Sequence, residues 1–255
     1  MSGARPTEDV VSRWRTLLGV GASLWAGSGR VEVEPEWWLA FSGAKTADFN
    51  VILCHGSDGA RDLARSLEEV RTAKVPAVIV VSGAALGMTN LLAGEGWVCV
   101  GAKPFEVMTD LRGELDPDVR LLQPHDMPVA QEIVEAAFDV PRVFAEVALP
   151  TASAESPTRE AWGIFDGDDL RACVGVVTVE DVIVIWSLAT PPSFRGRGYG
   201  RRLMSGISAV KQREGATTAL LWSSPDGQPL YRKLGYTVVE HQQVWSRARW
   251  VFPPV

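Results

Sequence analysis

The chain has 255 residues, 46% of them hydrophobic, which is enough for one large domain or two small ones around a real core. Its formal net charge of -6 argues against a protein that coats nucleic acid, so any anionic partner is expected to be small. No apolar run reaches the roughly 20 residues of a membrane span. In chain order, a helix is expected from residue 8, with Thr7 as N-cap and Val10, Trp14, Leu17 and Leu18 near one face. Two apolar strands, "EWWLAFSG" and "FNVILCHG", follow, each ending at a glycine. A helix over 59–72, the buried β-branched strand "VPAVIVVSG", a short helix near 84–94 and the strand "GWVCVG" complete the first half.

The polar, proline-bearing stretch "LRGELDPDVRLLQP" reads as a boundary, dividing the chain into 1–115 and 116–255. Beyond it come a short strand "DVRLLQP", helices over 127–138 and near 141–149, and a loop "LPTASAESPTRE". The strands "AWGIFDG", "ACVGVVTVED" and "VIVIWSLAT" lead into a glycine-rich turn and a helix to about 214. The strand "TALLWSS", a short helix "GQPLYRKLG" and the strand "YTVVEHQQVW" close the chain. The two halves also resemble each other. "LLAGEGWVCVG" from Leu91 can be laid over "LYRKLGYTVVE" from Leu230, with Gly96 on Gly235 and Leu92 in the place of Tyr231.

Cys54, Cys99 and Cys173 have no paired spacing, which suits a reducing cytoplasm and offers neither a disulfide frame nor a zinc site. His55, His125 and His241 are scattered and read as structural or surface residues, so no metal is expected. "MSGARPTEDVV" lacks the order of a signal peptide, and the expected location is the cytoplasm.

The chemistry concentrates in "SFRGRGYGRRL", where Gly196, Gly198 and Gly200 alternate with bulkier residues and four arginines fall between 195 and 202. The preceding strand and following helix place these glycines at a strand-to-helix turn, where backbone N–H groups point outward unpaired. Glycine lets such a backbone approach a ligand closely. Arg201 and Arg202 would stand in the first helical turn, at the positive end of the helix dipole, a placement an anionic ligand would relieve. Neither the P-loop pattern nor the dinucleotide fingerprint is matched.

"LATPPSFRGRGYGRRLM" resembles the acetyl-CoA-binding segment of the GNAT N-acetyltransferases, whose signature [QR]-x-x-G-x-[GA] is filled by Arg195, Gly198 and Gly200. The second family signature, N-x-x-A-x-x-L-Y-x-K-x-G-[FY], is met in part by "SPDGQPLYRKLGY". Leu230, Tyr231, Lys233, Gly235 and Tyr236 match, while Ser224 replaces Asn and Gly227 replaces Ala. The resemblance covers about 119–247. It implies an α/β (α+β) GNAT fold, a mixed, mostly antiparallel sheet flanked by helices, with two such units in tandem. It implies acetyl-CoA as cosubstrate, its pyrophosphate on the amides of Arg195, Gly196, Arg197, Gly198, Tyr199, Gly200 and Arg201. Its pantetheine arm is expected along the strand edge at Leu188 and Thr190, with Ser224 near the arm and an oxyanion donor at Leu188 or Ala189. Tyr231 takes the family's position for the acid that protonates the leaving thiolate.

No carboxylate lies within "VIVIWSLAT"; Glu180, Asp181, Asp226 and Glu240 are candidates for a base acting through water. Trp162, Trp186 and Trp222 read as core, or as an acceptor groove if one faces it. The first half has neither the anion turn nor the tyrosine, and is expected to bind no acetyl-CoA and to wall the acceptor pocket, with Asp48 and Asn50 as candidates to face it. The acceptor is expected to be an amine of a small molecule or peptide, with no nucleic acid or membrane partner, in a monomer (an internal pseudo-dimer) or homodimer. The alternative reading is a catalytically idle acyl-CoA-binding module.

Overall fold

The computed structural model of the chain describes residues 6–26 and 29–251, so the first five residues of "MSGARPTEDVV" lie outside it. The chain runs α1 (Glu8–Ala26), β1 (Arg30–Glu34), β2 (Trp37–Phe41), β3 (Asn50–Cys54), α2 (Gly59–Ala73), β4 (Val78–Val81), α3 (Asn90–Gly94) and β5 (Val98–Met108). It continues with β6 (Val119–Leu121), α4 (Met127–Phe138), α5 (Arg142–Ala148), β7 (Arg159–Asp166), β8 (Asp169–Val179) and β9 (Val182–Ala189). Then come α6 (Tyr199–Arg213), β10 (Thr218–Trp222), α7 (Gln228–Leu234) and β11 (Thr237–Ser246).

Two compact units result. One comprises the chain up to Phe105 together with Val238 onward, and the other spans Glu106–Thr237. The sequence reading drew one boundary, at 115/116; here the chain changes unit twice, each time within or beside a strand. β11 leaves the second unit after Thr237, and β5 begins in the first unit and ends in the second.

In the first unit the strand order is β1-β2-β3-β4-β11-β5. β1, β2 and β3 are successively antiparallel, and β3 pairs parallel to β4 through the crossover helix α2. In the second the order is β5-β10-β9-β8-β7-β6; β6, β7, β8 and β9 are successively antiparallel, and β9 pairs parallel to β10 across α6. The run β1-β2-β3-α2-β4-α3-β5 therefore has the same order as β7-β8-β9-α6-β10-α7-β11. That is the order of elements on which the Leu91 and Leu230 stretches were overlaid.

Two elements depart from the sequence expectation. β1, "RVEVE", is a strand whose side chains are half-buried or exposed, so its composition carries no apolar signal. β5 continues past the expected "GWVCVG" through Pro104 to Met108. α1 also runs unbroken through Gly19, where a methyl group would stand 2.4 Å from the Trp38 ring. Glycine there permits the helix to lie directly on β2.

The second unit's core joins Trp162, Ile164, Val174, Val176, Ile183 and Ile185 of the sheet to Leu203, Met204 and Ile207 of α6. Those helix positions recur at three- and four-residue spacing and put one face against the sheet. Lys211, in the last turn of α6, points inward. It is buried, with its ammonium 2.6 Å from Glu160 and 2.8 Å from Glu214.

Candidate functional site

β9 and β10 pair in register only from Val182–Thr218 to Ile185–Leu221. β9 then continues to Ala189 while β10 stops at Trp222, so Ser187, Leu188 and Ala189 run on beyond the register that β9 shares with β10. A register shift against β8 between Cys173 and Gly175 accompanies this parting, and Ser187 takes a left-handed φ of 53°. The Ser187 hydroxyl donates to the Ala148 carbonyl at 3.0 Å and pins the distortion. Leu188 packs on the core, and Ala189 is paired with Cys173 on the β8 side. The parted edge thus contains the expected positions Leu188 and Ala189, while Thr190 lies just beyond the strand.

From this edge the chain enters a short 3-10 turn, Pro192–Phe194, and then the glycine segment. Gly196 (φ 75°) and Gly198 (φ 86°) both occupy the left-handed region, and Gly198 is the N-cap of α6. A Cβ at either would point into open space, so backbone conformation, not crowding within the protein, requires glycine there. The first bond into the helix runs from the Arg202 N–H to the Gly198 carbonyl at 3.0 Å. The N–H groups of Tyr199, Gly200 and Arg201 precede it and form the open positive end of the helix. These features fit a phosphate-bearing ligand.

The arginines divide into separate roles, which corrects the expectation that Arg202 needs an anionic ligand to stand at the positive helix end. Arg195 donates to the Thr190 carbonyl at 3.1 Å and to the Ala137 carbonyl at 2.6 Å, and so braces the turn. Arg197 lies over the Phe194 ring at 5.4 Å. Arg202 bonds Asp116 at 2.7 and 2.9 Å and Asp118 at 2.6 Å. Those bonds hold the Asp116 carboxyl below the usual range, and its charge relieves the conflict between Arg202 and the helix dipole. Arg201 lines a depression of about 540 Å³ with Gly198, Lys233 and Arg112. Tyr199 donates to Asp166 at 2.9 Å.

Tyr231, on α7, is buried and meets Tyr236 edge to face at 5.5 Å between ring centres. Burial, and then the charge of Glu106, push its phenol well above the usual value, so it stays protonated at any physiological pH. Gly227 is explained here: a methyl group would stand 2.9 Å from Cε2 of Tyr231, so the ring occupies the space an alanine would need. Ser224 accepts from the Gly227 N–H, 3.2 Å from its hydroxyl, and thereby shapes the start of α7.

The four acids named as candidate bases are not brought together. Glu180 and Asp181 form the turn before β9, at the opposite end of that strand from its parted edge. Asp226 is exposed in the loop before α7. Glu240 belongs to the first unit, where its carboxylate takes two bonds from Arg15 at 2.9 and 2.6 Å. A carboxylate that the sequence reading did not single out, Glu106, is buried in β5. Trp162 is core, its indole N–H on Glu160 at 2.9 Å, and Trp222 ends β10. Asn50 spends its amide locally, bonding Ala44, Thr46 and Pro76 carbonyls at 2.8 to 2.9 Å, and is fully buried. It is a structural residue, contrary to the expectation that it faces a pocket.

The first unit's counterpart turn, after β3, is filled. A methyl group at Gly56 would stand 2.4 Å from the Glu36 carboxylate, and one at Gly59 2.8 Å from the Ala85 backbone. His55 is buried here. Burial and then the charge of Arg15 push its imidazole down to about 4, against a small opposing effect of Glu240. Between about 4 and the ordinary 6.5 the unfolded chain binds a proton that the folded chain refuses, so stability falls as pH drops through that window. The expected loss approaches roughly 3 kcal/mol at the acidic end. Urea denaturation at pH 7 and pH 4.5 should show it, and His55→Gln should remove most of the difference. An equal pH dependence in both proteins would refute the assignment.

Comparison with known proteins gives consistent results. Residues 157–238 match the family model described as the acetyltransferase (GNAT) domain. A glucosamine 6-phosphate N-acetyltransferase of Trypanosoma brucei brucei is 34% identical over 64 residues, which are 25% of this chain and 40% of that protein. The chain thus spans well under half of that relative. Among solved structures, a GCN5-related N-acetyltransferase from Kribbella flavida superposes with a TM-score of 0.66 at 17% identity, covering 96% of each chain. A GCN5-related N-acetyltransferase from Sphaerobacter thermophilus gives 0.59 at 16% identity, covering 82% of this chain and 76% of that one. At these identities the structures bear on the fold. Among the described residues no group of acidic, histidine or cysteine side chains has metal-binding geometry, and no helix is long and apolar enough to cross a membrane.

Proposed function

From a chain that carries a GNAT-family acetyltransferase domain at 157–238, we propose an enzyme that moves an acetyl group from acetyl-CoA to a primary amine of a small molecule or peptide, in one ternary complex. The observation that carries this reading is the parting of β9 from β10 directly before a turn with two left-handed glycines and an open helix end. An extended arm can add to the free edge at Leu188 as a further strand, with its diphosphate on the amides from Gly196 to Arg201. Arg201 and Lys233 supply positive charge in the adjoining depression.

The reaction needs a neutral amine at the thioester carbon, a donor for the oxygen that gains charge there, and a proton for the departing sulfur. A backbone N–H at Leu188 or Ala189 on the parted edge serves the oxygen. Tyr231, kept protonated by its surroundings, serves the sulfur. Two findings support a non-catalytic role for the first unit: its filled turn at Gly56, and Leu92 in the place of Tyr231. On this reading it is a degenerate copy that holds the strand pairing of β5 and β11.

Calorimetric titration with acetyl-CoA should show binding at a single site, and a panel of amines should then release free coenzyme thiol. Absence of binding would overturn the proposal. Binding without thiol release from any amine would favour an idle acyl-CoA-binding module.

A further inference from the structure

We propose that the first unit carries a ligand site of its own, away from the glycine turn, that takes a small aromatic oxyanion: a planar ring bearing a carboxylate or a phosphate. The inference is independent of acetyl transfer and gives the first unit a binding role.

A cavity of about 510 Å³ opens where the C-terminal end of α2 meets the start of β5 and the residues that follow β11. All of its lining residues belong to the first unit, and its volume suits a small-molecule ligand. α2 has 15 residues and is roughly 20 Å long, so the cavity and the filled turn at 56–59 lie at opposite ends of it. The cavity is therefore no remnant of a coenzyme clamp.

Its charge is strongly one-sided. Arg71, Lys74, Arg247 and Arg249 line it against a single carboxylate, Glu95. Arg71 is paired with Glu68. The other three have no carboxylate within ion-pair distance among the described residues, and the carbonyl end of α2 offers only partial negative charge. Lys74 caps α2 with a left-handed φ of 55°, where glycine is the ordinary residue, so folding alone does not call for a lysine.

Two tryptophans supply the aromatic wall. Trp97 and Trp250 meet edge to face at 5.6 Å between ring centres. The Arg247 guanidinium lies 5.4 Å from the Trp97 ring centre, and that of Arg249 lies 5.5 Å from Trp250. Arg247 also donates to the Glu95 carbonyl and sits close to Gly96, where a methyl group would stand 3.0 Å from its Nη1. Its guanidinium is thus fixed before any ligand arrives. A guanidinium stacked on an indole keeps an N–H edge for the oxygens of a planar anion. The Trp97 indole N–H is buried and has no acceptor among the described residues, a defect that a ligand oxygen can repair.

Calorimetry with 2-naphthoate and 2-naphthyl phosphate tests the proposal, with 2-naphthol, acetate and inorganic phosphate as the ring and the anions alone. At least one naphthyl anion should bind with a Kd of about 10–100 μM, and ring or anion alone about tenfold more weakly or worse. The stronger of the two identifies the anion. Lys74→Gly removes a charge and installs the residue the backbone prefers, so it should raise Kd about tenfold without lowering Tm. Arg249→Glu should raise Kd about a hundredfold. Arg61→Ala, in the first turn of α2, should leave it unchanged. Failure of both naphthyl anions to bind would overturn the proposal, as would binding that Lys74→Gly and Arg249→Glu leave unchanged. Binding that acetyl-CoA displaces would put the probe at the glycine turn and overturn it equally.

Discussion

Tyr231→Phe is expected to lower kcat by about two to four orders of magnitude while leaving the KM for acetyl-CoA within a fewfold. The substitution removes one hydroxyl and keeps the ring, so the edge-to-face contact with Tyr236 and the packing over Gly227 survive. What is lost is a proton that burial and the charge of Glu106 keep in place at neutral pH. The defect should be largest for acetyl donors whose thiol leaves with the most basic sulfur, and a more acidic thiol should narrow it. If kcat is unchanged with every donor, Tyr231 is a packing residue and the sulfur takes its proton from elsewhere.

Gly198→Val is expected to raise the Kd for acetyl-CoA about a hundredfold or more and to lose about 1–3 kcal/mol of stability. A β-branched residue at a φ of 86° is strained wherever it stands, and this one would also project from the helix N-cap into the space before the open amides. Gly215, at the other end of α6, separates these effects. It has a φ of 101° with open space around it, so Gly215→Val should lose comparable stability and bind acetyl-CoA normally. Equal losses of affinity in the two variants would mean that strain in α6, and not the turn, governs binding.

These expectations differ in how much of their basis was legible in the sequence. The glycine turn was readable because a left-handed φ is a local demand that Gly196 and Gly198 meet without reference to the rest of the fold. Most strands announced themselves as β-branched or apolar runs. β1 did not, because "RVEVE" is a partly exposed edge. The end of β5 did not either, because Lys103 and Pro104 interrupt the apolar pattern just before the buried stretch that carries Glu106. The buried carboxylate of Glu106 therefore lay outside the expected strand.

By itself, the sequence determined the strand-to-helix turn, the placement of Tyr231 after it and the strand, short helix and strand that close each half, since each follows from short-range conformational preference and periodicity. Only the tertiary structure decided which charges meet. Sheet order sets β5 beside β10, which puts Glu106 near Tyr231, and it carries β11 into the first unit, where Arg15 claims Glu240. The peptide before β6 brings Asp116 and Asp118 to Arg202, so that arginine needs no ligand to stand at a positive helix end. Pairings between residues more than 80 positions apart depend on which strands become neighbours, and no local propensity encodes that choice.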